Sequence, residues 1–245
     1  MYGDWGWPRY VPVAERRVKA QKAVAKLLKK GQKVSPVTIE GRTLAKTFWG
    51  KAWCRHLESF SDYENRLPRG RSYVRNGSVI HLNVDQGRIE ALVQGSSLYK
   101  IKIEIKTLDS KKWASILENC SGQIDSVIEL LQGKFSSGVM KTISDQHKGL
   151  FPAPKEIALN CSCPDWAGMC KHVAAVLYGV GNRLDHEPEL LFKLRKVDHM
   201  ELINKASIKT SVRSRKSNVI KDDDLSEIFG IDIAPTTKRI KRKVK

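Results

Sequence analysis

Nowhere in this sequence do about 18 apolar residues follow one another, so no stretch reads as a membrane-crossing helix. Met1 to Tyr10 carries aromatics and Gly where a secretory signal would carry an apolar core, and the chain therefore reads as a soluble, cytoplasmic protein. Cysteine is scarce and odd in number, at five. Three of the five fall between positions 161 and 170, while Cys54 and Cys120 lie far away. That distribution excludes the disulfide framework of a small secreted domain and fits a metal cluster in a reducing compartment. Acidic residues are also in deficit, 26 against 44 Lys and Arg, for a formal charge of +18. Such a surplus points toward a polyanionic partner such as nucleic acid. No internal repeat, Gly-rich phosphate loop or His-x-Glu/Pro-Cys-x-x-Cys deaminase pattern occurs. At 245 residues the chain can bury a core without metal or disulfides, so a metal would act locally.

The charge is unevenly placed. Residues 1–60 hold 13 basic against 4 acidic residues, and 61–108 hold 8 against 5. Residues 109–204 are near neutral with 11 against 12, and the tail 205–245 is basic again with 12 against 5. We therefore divide the chain into a basic α+β domain (1–108), a helical connector (109–150), a small metal module (151–204) and a disordered basic tail (205–245).

Apolar spacing predicts helices over Val13–Lys30 and over Thr47–Phe60, the latter with Thr47 as N-cap and Trp49, Trp53, His56, Leu57 and Phe60 along a core-facing stripe. Strands are expected at Ser78–Val84, Arg88–Gln94 and Leu98–Ile105, separated by Asn76-Gly77, Gln86-Gly87 and Gly95-Ser96. The last alternates cleanly, Ile101, Ile103 and Ile105 against Lys100, Lys102, Glu104 and Lys106, as in an antiparallel meander with one wet face. Helical patterns follow at Ser110–Cys120, Ile124–Leu131 and Ser136–Ile143, and again from His172 and near Pro188–Arg195. The fold class is α+β: an antiparallel sheet with helices, joined to a small strand-loop-helix module.

That module holds the chemistry. Cys161 and Cys163 share the parity of one extended segment with Ile157 and Leu159, so both face one way. Six residues later, Cys170-Lys171-His172 opens a helix. Cys170 should sit just ahead of that helix and His172 in its first turn, with Pro164 and Gly168 turning the loop back. Three cysteines and a histidine able to converge within about 4 Å suit tetrahedral Zn²⁺. The alternative, small buried cysteines beside a surface histidine, does not require this clustering. Three thiolates and Zn²⁺ leave a net charge of about −1, which Lys171 and the first N–H groups of the helix are placed to offset.

Cys-x-Cys, a loop and Cys-x-His on a strand-to-helix frame resembles the SWIM zinc finger. The surrounding Asn160-Cys161-Ser162-Cys163-Pro164-Asp165-Trp166 and Cys170-Lys171-His172-Val173-Ala174-Ala175-Val176-Leu177-Tyr178 are similar to its bacterial members. So are Thr47-Phe48-Trp49-Gly50-Lys51-Ala52-Trp53, Arg66-Leu67-Pro68-Arg69-Gly70-Arg71-Ser72-Tyr73 and Val93-Gln94-Gly95-Ser96 upstream. The resemblance implies DNA binding or protein–protein contacts, with SWI/SNF-type helicases as associates, and no catalytic activity. Cys54 with His56, and Asp62 with Glu64, lack the third orienting group that catalysis would need.

Two surfaces remain as candidates for contact. Arg66, Arg69, Arg71 and Arg75, read as a basic Gly- and Pro-containing loop, together with Lys19, Lys22, Lys26 and Lys29 of the first helix, are candidates for phosphate contacts, with Tyr73 and Tyr99 for stacking. A solvated basic face is the competing reading. In the tail, Leu225, Ile228 and Phe229 follow three aspartates at helical spacing, either as a partner-docking helix or as a segment that folds back on its own domain.

Overall fold

The strand alternation at Leu98–Ile105 carries straight into three dimensions: Ile101, Ile103 and Ile105 are buried and the Lys and Glu between them exposed. In the computed structural model, which describes residues 11–60, 66–121, 123–124, 127–134 and 136–203, this strand is β3. It pairs antiparallel with β2 (Arg88–Gln94), which pairs with β1 (Val79–Asp85). The two tight turns need no crossover, so the sheet begins as a meander. Its fourth strand, β4 (Ile157–Cys161), arrives some fifty residues later and pairs with β3 from Ile105↔Ile157 to Ile101↔Cys161, giving the order β1-β2-β3-β4. The fold is α+β.

Helices α1 (Val13–Lys29), α2 (Phe48–Glu58) and α3 (Leu67–Arg75) precede the sheet, and α4 (Ser110–Cys120), α5 (Val127–Gln132) and α6 (Ser137–Ser144) fill the connection from β3 to β4. The chain closes with α7 (Lys171–Arg183) and α8 (Glu189–Arg195). Thr47 caps α2 as its sequence predicts, accepting Gly50 N–H at 3.4 Å. The indoles of Trp49 and Trp53 are fully buried, and each donates its N–H to a backbone carbonyl, Leu130 O at 3.0 Å and Leu177 O at 2.8 Å. That pairing removes the cost of burying a polar N–H among aliphatic side chains.

The centre of the molecule is α7. The expected stripe Val173, Val176, Leu177, Val180 and Leu184 is fully buried, but so are Ala174, Ala175 and Tyr178, which marks a helix enclosed on every side. It packs against α2, α3 and the sheet. The expected boundaries at 108 and 150 consequently divide no cores: β4 is the neighbour of β3, and all described residues belong to one compact unit. Net charge tracks the surface, and the core runs beneath it. Buried Arg195 tightens the same seam, donating to Lys106 O at 2.8 Å and pairing with Glu156 at 2.9 Å just ahead of β4.

One element differs from expectation. The segment Arg66–Arg75, read as a loop, forms helix α3 from Leu67 onward, with Arg66 as its N-cap. Pro68 occupies the first turn, where its missing N–H has no helical partner to lose. Gly70 marks a close approach: a Cβ there would lie 2.5 Å from Ala174 Cβ and 2.9 Å from the Ala174 carbonyl carbon on α7. The tail from 205 to 245, with Leu225, Ile228 and Phe229, lies outside the described residues.

Candidate metal centre and basic surface

At the end of β4 the backbone delivers Cys161, and Cys163 follows two residues on. The turn between them is fixed by reciprocal bonds to β3, Ser162 N–H to Lys100 O and Lys100 N–H to Ser162 Oγ, each 3.0 Å. Across the loop, Cys170 is the N-cap of α7, its Sγ accepting Val173 N–H at 3.5 Å, and His172 lies in the first turn. The three sulfurs and a His172 nitrogen lie within 4.8 Å of one another. His172 Nδ1 is 3.9 Å from Cys161 Sγ and 3.8 Å from Cys170 Sγ. Ligands at 2.0–2.3 Å on a tetrahedron are themselves about 3.5–3.8 Å apart, so the donor set fits a metal ion, and thiolate-rich N/S tetrahedra are what zinc takes.

His172 is held by its neighbours. It is 2% exposed, with the Tyr99 ring at 4.4 Å in a tilted stack and the Tyr73 ring edge-on at 5.3 Å. Gly95 lets the imidazole in, since a Cβ there would stand 2.9 Å from Nε2. The tyrosines expected to stack on bases thus wall the metal ligand, and Arg16 covers the face of Tyr73 at 4.7 Å. Charge is shared unequally among the sulfurs. Cys170 is drawn down to about 3 by the hydrogen bond from the Cys161 thiol, helped by His172 and the Val173 N–H. The same bond and burial push Cys161 up, and burial pushes Cys163 up. Three thiolates held this close repel one another, and a bound divalent cation would balance them.

Residues 148–180 match the family model described as SWIM zinc finger. This chain carries a SWIM zinc finger. "Uncharacterized protein Rv2102" of Mycobacterium tuberculosis is 35% identical over 163 residues, which cover 65% of this chain and 58% of that protein. The chain therefore spans less than two thirds of the length of the curated relative it matches. No solved structure matches the chain.

The SWIM loop between Cys163 and Cys170 contains the residue that sequence reasoning missed. Trp166 is 94% exposed, the largest exposure among the big apolar side chains described. Its neighbour Asp165 accepts Ala167 N–H at 3.2 Å and pairs with Arg66 of α3 at 3.4 Å, so the backbone beneath the indole is tied down. An aromatic in a motif reads by default as core. Only its position between two ligand-bearing turns, two residues after Pro164, signalled otherwise.

The predicted basic residues do not form one patch. Arg66 is engaged by Asp165. Arg71 donates to Glu58 at 2.7 Å and to the buried Tyr178 hydroxyl at 3.0 Å, and Arg75 donates to Arg42 O at 3.1 Å. Arg69 is exposed on α3. On α1, Lys19 pairs with Glu15 at 2.7 Å, whereas Lys22, Lys26 and Lys29 project into solvent. Of the considered catalytic pairs, Asp62 and Glu64 lie outside the described residues. The Cys54 thiol is pushed up to about 12 by burial and by Glu58 and Asp185, and His56 points instead to Pro152 O at 3.0 Å. Among the described residues no helix is long and apolar enough to cross a membrane.

Proposed function

We propose that this chain is a non-enzymatic, zinc-organised accessory protein that contacts nucleic acid through the surface around its zinc finger. Zn²⁺ would be held by Cys161, Cys163, Cys170 and His172, and four protein ligands leave no open position for substrate or activated water. The metal's part is then mechanical: it fastens β4, the loop and the first turn of α7 into one unit. A protonated Cys54 and a His56 turned away from it supply no nucleophile–base pair, in keeping with a binding role. None of the five cysteines is paired in a disulfide, which suits a reducing compartment.

The observation that carries the reading is Trp166, displayed at 94% exposure on a fixed loop of a strongly basic chain. An indole displayed on a tied-down loop offers a preformed ring, and unpaired bases stack on such rings irrespective of sequence. The SWI/SNF-type helicase implied by the resemblance is the protein-side alternative, in which Trp166 would be an anchor residue of an interface. Anisotropy of labelled single-stranded oligonucleotides separates the two. A Trp166→Ala variant should bind roughly 5- to 150-fold more weakly, the equivalent of about 1–3 kcal/mol for one stacked base. A wild-type protein that ignores oligonucleotides at low salt, yet retains a protein partner after nuclease treatment, would replace this reading with the adaptor.

A further inference from the structure

Apart from the four metal donors, between the loop before α2, α2 and α3, lies a hollow of about 550 Å³. Arg42 approaches from the loop before α2, Lys51 and Arg55 from successive turns of α2, and Arg71 and Arg75 from α3. One carboxylate, Glu58, is among the lining residues. It is already occupied, accepting from Arg71 and from the Tyr178 hydroxyl at 2.7 Å each. Tyr178, fully buried on α7, forms the floor and holds Arg71 in place at 3.0 Å. Arg42, Lys51 and Arg55 are exposed and make no ion pair among the described residues.

Five cations round one satisfied anion repel one another, and nothing in the packing of α2 or α3 requires Lys51 and Arg55 to be basic at exposed positions. A concave wall with a surplus of one sign focuses its field on the space it encloses, and guanidinium groups match the geometry of phosphate oxygens. We infer that this hollow binds backbone phosphates of the nucleic acid, at a site separate from the zinc-finger loop. This rests on the nucleic-acid reading above and deepens it: Trp166 meets a base and the cationic hollow holds the strand.

The test is a double variant, Lys51→Gln/Arg55→Gln, in the full zinc-loaded chain. Both residues are exposed, so the fold is kept, while Arg71 and Arg75, which have internal partners, stay untouched. Oligonucleotide affinity is measured by anisotropy from low salt to 1 M alongside Trp166→Ala. Loss of two phosphate contacts should make the slope of log affinity on log salt shallower by about 1.4 for single strands, so that the double variant and wild type converge near 1 M and part by about 25-fold at 0.1 M. The loss should be the same for every base sequence. Trp166→Ala should weaken binding with the slope unchanged. A double variant with the wild-type slope, while Trp166→Ala still weakens binding, overturns the hollow and leaves the nucleic-acid reading standing. Wild-type protein that binds no oligonucleotide removes both. Inorganic pyrophosphate that binds wild type and not the double variant, with the oligonucleotide slope unaltered, would overturn the inference in favour of a small anion.

Discussion

Replacing Gly70 by Ala should destabilise the protein although Ala is the better helix former. In an exposed helix the change gains about 1 kcal/mol from backbone entropy and propensity. Here the added methyl would sit 2.5 Å from Ala174 Cβ, 2.9 Å from the Ala174 carbonyl carbon and 3.0 Å from Ala175 N. Carbon atoms in good contact are about 3.5–4.0 Å apart, so α3 must withdraw from α7 by about 1 Å. Two of the three obstructing atoms are backbone of a fully buried helix, which cannot turn aside as a flexible side chain would. Withdrawal would loosen Leu67 and Val74, both buried against the same core. Overpacking of this kind costs about 1–3 kcal/mol; in a helix that also gives up neighbouring contacts we set the net loss at about 2 kcal/mol. For a unit of this size that lowers Tm by about 4–8 °C. Gly168→Ala is the control, since its Cβ would meet nothing within 4 Å. Differential scanning calorimetry of the zinc-loaded proteins decides it: a Gly70→Ala protein melting at or above wild type would refute the close-packing account of α3 and α7.

Two further outcomes follow from the site and core. Cys163→Ala should reduce bound zinc from one per chain to a chelator-labile fraction, measured by elemental analysis, and open residues 157–170 to protease. With free zinc about 1,000-fold above its Kd the metal stabilises by about 4 kcal/mol, so chelation of wild type should have a comparable effect, and an equally protease-resistant variant would refute the fastening role. Stability should also fall as pH drops below about 6.5. Burial holds His56 below its ordinary value of 6.5, so the folded state stays neutral where the unfolded chain takes up a proton; its contribution is fully present above that value and is lost as pH decreases toward the folded value. His81, also lowered by burial, works in the same direction. His56→Gln should flatten part of the acid limb of Tm against pH with zinc content unchanged, and an unaltered profile would exclude His56 as a source.

What the sequence disclosed depended on the range over which each signal acts. Cys161, Cys163, Cys170 and His172 were legible because their spacing, the strand parity and the helix start are local facts, and the structure places Cys170 at the N-cap as the spacing requires. The α2 cap at Thr47 and the alternation of β3 were legible for the same reason. Helix α3 was not, because Pro68 and Gly70 read as loop residues. The reason for Gly70 is the proximity of Ala174, a hundred residues away. Pairing of β4 with β3, which dissolves the expected domain boundaries, is likewise non-local. Charge was the least legible. Arg66 and Arg71 look available in the sequence and have internal partners in the structure, whereas Arg42, Lys51 and Arg55, scattered along the chain, border one hollow.

The helix that joins these features also keeps them separable. His172 and Tyr178 are six residues apart on α7, about 9 Å along its axis at 1.5 Å per residue. The first belongs to the donor set that would hold a metal ion beside the Trp166 loop, and the second floors the cationic hollow and positions Arg71. Beyond its first turn α7 buries Leu177 and Val180, with Leu184 at its C-cap, none of them among the four donors. Removing zinc should therefore release β4's end and the loop while leaving the helix seated at Tyr178. If the two surfaces act on one strand, a chelated protein should behave like Trp166→Ala, binding more weakly with its salt slope preserved, because the phosphate-holding end of the arrangement does not depend on the metal. A chelated protein whose salt slope collapses toward zero would mean that α7 itself loosens when the cluster opens, and the metal would then have to be regarded as part of the core.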